Sequence, residues 1–167
     1  MEPITDLDVF QRLAVAMVVG ALLGYERERA DKPAGLRTYM LVCEGATLFM
    51  LCAILLSAQM TAAGGISDPG RIASTVVQGI GFIAGGVILT TGRQVRGLTT
   101  AAGLWVTAAL GLLIGAGYLV IATGAAALTL VALVGLARIE VRSLPPTDTR
   151  RRDHDGEGRS DRGDGRA

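Results

Sequence analysis

Long stretches without charge constrain this chain more than any other feature. From Gly97 to Ala137 there is no Asp, Glu, Lys or Arg, and between Thr38 and Gly92 there are only Glu44, Asp68 and Arg71. The remaining charges gather near the N-terminus, in Glu26–Arg37 and after Arg138. This distribution reconciles a hydrophobic content of 50% and a mean hydropathy of +0.46 with a charged fraction of 19%. Apolar blocks of about 20 residues set between charged ones match the thickness of a bilayer rather than a globular core. The chain reads as an integral membrane protein.

The blocks predict spans over about Val9–Tyr25, Arg37–Gln59 and Arg71–Thr91. The apolar run from Leu98 to Val141, broken only by Arg138 and Glu140, is too long for one crossing. As a single helix it would reach ~65 Å, about twice the hydrocarbon thickness. Gly115-Ala116-Gly117-Tyr118 is the natural break, which gives spans over about Leu98–Ala116 and Tyr118–Ile139. Asp68 is placed to cap the third helix, with Pro69 in its first turn.

Basic residues set the orientation. Arg27, Arg29, Lys32 and Arg37 lie in the first loop, Arg93 and Arg96 follow span three, and Arg138 and Arg142 follow span five. The opposite side has Arg12, read as snorkelling to the interface, and Arg71. Because positive residues favour the cytoplasm, the N-terminus is expected outside and the C-terminus inside. The expected fold class is all-α: a polytopic domain over residues 1–141 with five transmembrane helices, then a disordered cytoplasmic tail over 142–167. That tail is rich in Pro, Gly and mixed charge. Met1–Asp8 carries three acids, which does not fit a cleavable signal.

Glycine shapes the packing expectations. Gly20 and Gly24 form a small-xxx-small face, and span three carries Gly79, Gly81, Gly85 and Gly86 beside Ser74, Thr75 and Gln78. A soluble helix rarely holds so many glycines, each costing ~1 kcal/mol against alanine, whereas membrane helices use them for close backbone approach. Trp105, mid-span, is expected to pack on that glycine face. Thr99, Thr100 and Thr107 are expected to hydrogen-bond to the face that Ser74 and Gln78 share. Cys43 and Cys52 are too far apart on one helix to bridge.

Four blocks carry a family resemblance: GALLGYERER (Gly20–Arg29), KPAGLRTYMLV (Lys32–Val42), DPGRIASTVVQGIGFIAGGVI (Asp68–Ile88) and VRGLTTAAGLWVTAALGLLIGAGYL (Val95–Leu119). The chain resembles the MgtC/SapB family of bacterial inner-membrane proteins over about Arg12–Ala137. The resemblance implies a five-helix, multi-pass protein of the bacterial inner (plasma) membrane, linked to magnesium limitation, virulence and intracellular survival. It further implies a regulator of other membrane proteins, such as the proton-translocating ATP synthase. Longer members carry a folded soluble domain after the last helix, where this chain has its tail. Glu44 stands where the family tends to have an apolar residue.

Glu44 lies about seven residues inside span two, ~10 Å deep by helical rise. Intramembrane acids are candidates for ion or proton handling; the alternative is a carboxyl that is protonated, hydrogen-bonded or turned to the interface, and this is favoured because Glu44 breaks the family pattern. Glu26 and Arg37 fall in family blocks, which makes them a candidate pair. Asp68 and Arg71 face the other side, where capping competes with cation capture at an outer mouth. A lone aspartate suits magnesium poorly, so a metal ligand set stays unknown. No catalytic constellation is visible, and neither an enzyme activity, a cofactor nor a nucleic-acid partner is expected. The expected partners are the lipid bilayer, other membrane proteins and further copies of the chain, with an oligomeric magnesium or ion transporter as the alternative function.

Overall fold

A computed structural model describes residues 4–91 and 94–143. It contains five helices: α1 (Asp6–Arg29), α2 (Leu36–Ala62), α3 (Pro69–Gly86), α4 (Leu98–Gly115) and α5 (Leu119–Ser143). Two short strands, β1 (Leu89–Thr91) and β2 (Gln94–Arg96), pair antiparallel between α3 and α4. Their register sets Leu89 opposite Arg96 and Thr90 opposite Val95.

By length and composition α1, α2 and α4 are each long and apolar enough to cross a membrane. Helix α3 is not among them. Its 18 residues reach ~27 Å, and they are diluted by glycine, serine, threonine and glutamine. The expected third span to Thr91 is therefore corrected: the helix stops at Gly86, and the β-branched run that follows enters the hairpin. The α5 helix continues past the expected end at Ile139 to Ser143. Arg93, His154 and the tail beyond residue 143 lie outside the described residues.

Local chemistry sets the helix boundaries. A capping box starts α1: the Asp8 amide donates to Thr5 Oγ1 at 3.2 Å and the Thr5 amide to Asp8 Oδ2 at 3.0 Å. At its end, Asp31 takes a left-handed φ of 53°, and the amides of Asp31 and Lys32 return to the carbonyls of Glu28 and Arg27. Asp68 caps α3 by accepting from the Gly70 amide at 2.9 Å. Helix α4 ends the way α1 does, with Gly117 at φ 92°. Before α4, Gly97 at φ 89° lies so close to the Val87 carbonyl that a side chain has no room.

Helix α4 is the centre of the bundle. It touches the other four helices, and ten of its 18 residues are buried, against six in α1 and six in α2. Much of its close packing is against α2. On one side of α2, a Cβ at Gly20 would stand 2.7 Å from Met40 Cα, and one at Gly24 2.7 Å from Leu36 Cα. On the other, a Cβ at Gly111 would stand 2.8 Å from Ala46 Cβ, and one at Gly115 2.7 Å from Met50 Cβ. Gly103 sits under the Tyr39 ring. The core between these contacts holds Leu23, Tyr39, Cys43, Leu104 and Ile114, all almost fully buried. Large apolar side chains cover the outside instead, among them Phe10, Leu41, Phe49, Phe82 and Leu128, as expected where lipid is the solvent.

Substituting at these contacts tests the packing. Gly24→Leu drives a side chain into the α2 backbone and is expected to destabilise the bundle by ~1–3 kcal/mol. Gly124→Leu, at a position with nothing within 4 Å, is expected to leave stability unchanged. Thermal unfolding of both variants in detergent checks the contrast; coincident melting curves would contradict it.

Candidate functional site

The charged cluster where α1 ends and α2 begins is built from three neighbouring residues with different tasks. Arg27 is 2% exposed and forms an ion pair with Glu26, whose side chain is 16% exposed. Glu28 turns the other way. Its Oε2 accepts from the Leu36 amide at 2.8 Å, capping α2 where the N-cap residue, Gly35, has no side chain to offer. One turn into α2, the buried Tyr39 donates its hydroxyl to the Thr100 carbonyl at 3.3 Å. This ties the start of α2 to the start of α4.

Farther along, Thr47 Oγ1 meets both its own helix, at Cys43 O (2.9 Å), and α4, at Gly111 O (2.8 Å). At the opposite end Arg12 donates to Gly115 O at 2.8 Å. The guanidinium lies across the α4 C-terminus, where the helix dipole is negative. Arg12 therefore holds α1 to α4, where a side chain snorkelling to the interface was expected.

Several expected contacts take another form. Arg37 is exposed, and Glu26 pairs with its sequence neighbour Arg27 rather than with Arg37. Ser74 donates to Arg71 O, Thr75 to Ile72 O and Thr107 to Gly103 O; each bonds its own helix, and none joins α3 to α4. Gln78 and Thr99 are exposed, while Thr100 is buried. A Cβ at Gly79, Gly81, Gly85 or Gly86 would meet nothing within 4 Å. Those glycines do not fasten α3 to the rest of the chain. Trp105 is half exposed and does not seal that face. Glu44 is partly buried and makes no hydrogen bond or ion pair among the described residues. Asp68 and Arg71 are exposed near the start of α3. Among the described residues no three His, Cys, Asp or Glu side chains group to hold a metal ion.

A groove of about 590 Å³ separates α2 from α3. Leu41, Gly45 and Phe49 form one wall, Val76, Gly79 and Ile80 the other, and Ala108 of α4 closes the bottom. Arg37 lines it as its single charged residue.

Sequence reasoning passed over Tyr39, Thr47 and Gly111; it read Arg27 and Glu28 as part of a surface cluster that sets topology, and Gly115 as a helix break. Gly111 and Gly115 repeat the four-residue spacing of Gly20 and Gly24, a signal visible in the sequence.

The model of the MgtC family matches residues 13–142, which cover α1 from its third turn through α5. The chain belongs to the MgtC family. Protein MgtC of Salmonella typhimurium is 47% identical over 105 residues, 63% of this chain and 42% of that protein. Protein MgtC of Brucella abortus is also 47% identical over 105 residues, covering 63% and 41%. An uncharacterized protein of Synechocystis is 46% identical over 125 residues, covering 75% and 50%. The chain spans half or less of the length of these relatives. No solved structure matches. The match and the apolar helices make this an MgtC-type membrane protein.

The buried ion pair yields a prediction. Glu26→Gln leaves the Arg27 guanidinium buried without its counter-charge and is expected to cost about 3 kcal/mol. Arg37→Gln is expected to leave stability unchanged. Chemical unfolding in mixed micelles distinguishes them, and equal losses would overturn the assignment of Arg27 as Glu26's partner.

Proposed function

We propose that this chain is a non-enzymatic protein of the bacterial inner membrane that serves adaptation to low magnesium, and in a pathogen virulence, by binding and regulating other membrane proteins. The ATP synthase is the leading candidate partner. The observation that carries this reading is the family match across all five helices, residues 13–142. Two features of the structure support contact over conduction. Among the described residues every buried side-chain N or O has a hydrogen-bond partner, so the interior is packed and its polar groups are satisfied within the chain. The outer face of α3, by contrast, carries Gly81 and Gly85 beside the 89% exposed Phe82. Small residues around a large one allow a foreign helix to approach closely and anchor. On this reading five helices cross the membrane, α3 being shielded by the partner, with the Arg27–Arg37 end in the cytoplasm.

A transporter for magnesium or another ion is the second reading, and Glu44 is the observation that favours it, as a partly buried acid on a membrane helix with no partner among the described residues. Reconstitution separates the two. Vesicles carrying the full chain are expected to release magnesium no faster than empty vesicles, and a membrane protein is expected to cross-link to a photoreactive group at Gly81. Flux above background that Glu44→Gln or Asp68→Asn abolishes would replace the regulator with a transporter. A deletion strain grown in low magnesium is expected to be rescued by the native chain.

A further inference from the structure

The groove between α2 and α3 has an asymmetry that the proposed function leaves unused. From Arg37 to Phe49 it follows twelve residues of α2, ~18 Å by helical rise, close to the depth of one hydrocarbon leaflet at ~15 Å. Its walls are apolar along that length apart from Thr38, beside Arg37, and Thr75, whose hydroxyl is already committed to Ile72 O. Charge enters only at the end where Arg37 stands. That end of the bundle also carries the exposed Arg29 and Lys32 and, four residues before the Thr100 carbonyl that binds Tyr39, the exposed Arg96. Arg37 makes no ion pair among the described residues. The exposed Leu41, Phe49 and Ile83 border the groove, so it opens toward the bilayer rather than into the bundle.

We propose that this groove is a binding site for an anionic phospholipid, its acyl chain lying between α2 and α3 and its phosphate on Arg37. A slot one leaflet long, apolar within and cationic at its interfacial mouth, is complementary to that molecule and to no neutral lipid in the same degree. Basic pockets between membrane helices recognise anionic headgroups through the same pairing of charge and depth. Gly45 and Gly79 keep the slot open, since a Cβ at either would meet nothing within 4 Å.

Native mass spectrometry of the full chain in detergent tests the site, with phosphatidylglycerol and phosphatidylcholine of matched acyl chains supplied together. Phosphatidylglycerol is expected to be retained about fivefold over phosphatidylcholine, the preference one interfacial cation confers. Arg37→Gln is expected to abolish the preference, while Arg37→Lys and Arg29→Gln, the latter outside the groove, keep it. Gly45→Leu fills the slot without touching the bundle and is expected to lower retention of both lipids. Equal retention of the two lipids by the native chain would overturn the proposal. So would an undiminished preference in Arg37→Gln, an equal loss in Arg29→Gln, or lipid retention unaffected by Gly45→Leu. A polypeptide cross-linking to Gly45→Cys, with no lipid retained, would give the groove to a protein instead.

Discussion

The fold depends on bringing α2 almost into backbone contact with two neighbours at once. Lipid tails are as apolar as leucine, so no hydrophobic force draws membrane helices together. What remains is dispersion, which grows steeply as backbones close, and hydrogen bonds that find no competitor in hydrocarbon. Gly20 and Gly24 admit α2 from one side, and Gly111 and Gly115 admit it from the other. At Gly111 the two effects coincide. The missing side chain lets α2 approach, and the bare carbonyl then receives the Thr47 hydroxyl.

This arrangement leaves α3 in a different position. It touches α2 and α4, yet buries only Ile80 and Ala84, and Gly79, Gly81, Gly85 and Gly86 meet no other part of the chain. A helix rich in glycine gains little from its own backbone propensity and has few packing contacts here to replace it. Its stability therefore leans on the Asp68 cap at one end and on the fit of Gly97 against Val87 at the other. A helix secured at its ends and free along its outer face is suited to receiving something from the membrane.

Helix number and the break before α5 were legible because charge, proline and glycine punctuate the sequence strongly. The Gly20–Gly24 contact was visible as spacing. Its counterpart on α4 was equally spaced, but it sat in a run without charge, and Thr107, one turn before Gly111, was read as facing α3. The α3 glycines show the converse. A small-residue face states how closely a neighbour can come, and not whether that neighbour belongs to the same chain. The end of α3 was misjudged because Val87–Leu89 continues the apolar run of the helix; two glycines precede it, and the chain turns at Val87 into the strand Leu89–Thr91. Arg12 was read as an interface anchor because nothing in its local sequence points across the bundle to Gly115.

The charged cluster holds the same lesson at finer scale, and it explains the groove. Counting Glu26, Glu28 and Arg37 along the sequence suggests one salt-bridged patch at the end of the bundle. In the fold both acids are already engaged, Glu26 by the buried Arg27 and Glu28 by the first free amide of α2. Each engagement is enforced: Arg27 cannot be buried unpaired, and α2 begins at a glycine that cannot cap it. Asp31, the next acid, is turned outward by the left-handed bend that ends α1. Arg37 is thus left exposed at the mouth of an apolar slot with no carboxylate of its own cluster to neutralise it. It is free to meet an anion from outside these residues, and at the edge of a bilayer the nearest abundant one is a lipid phosphate.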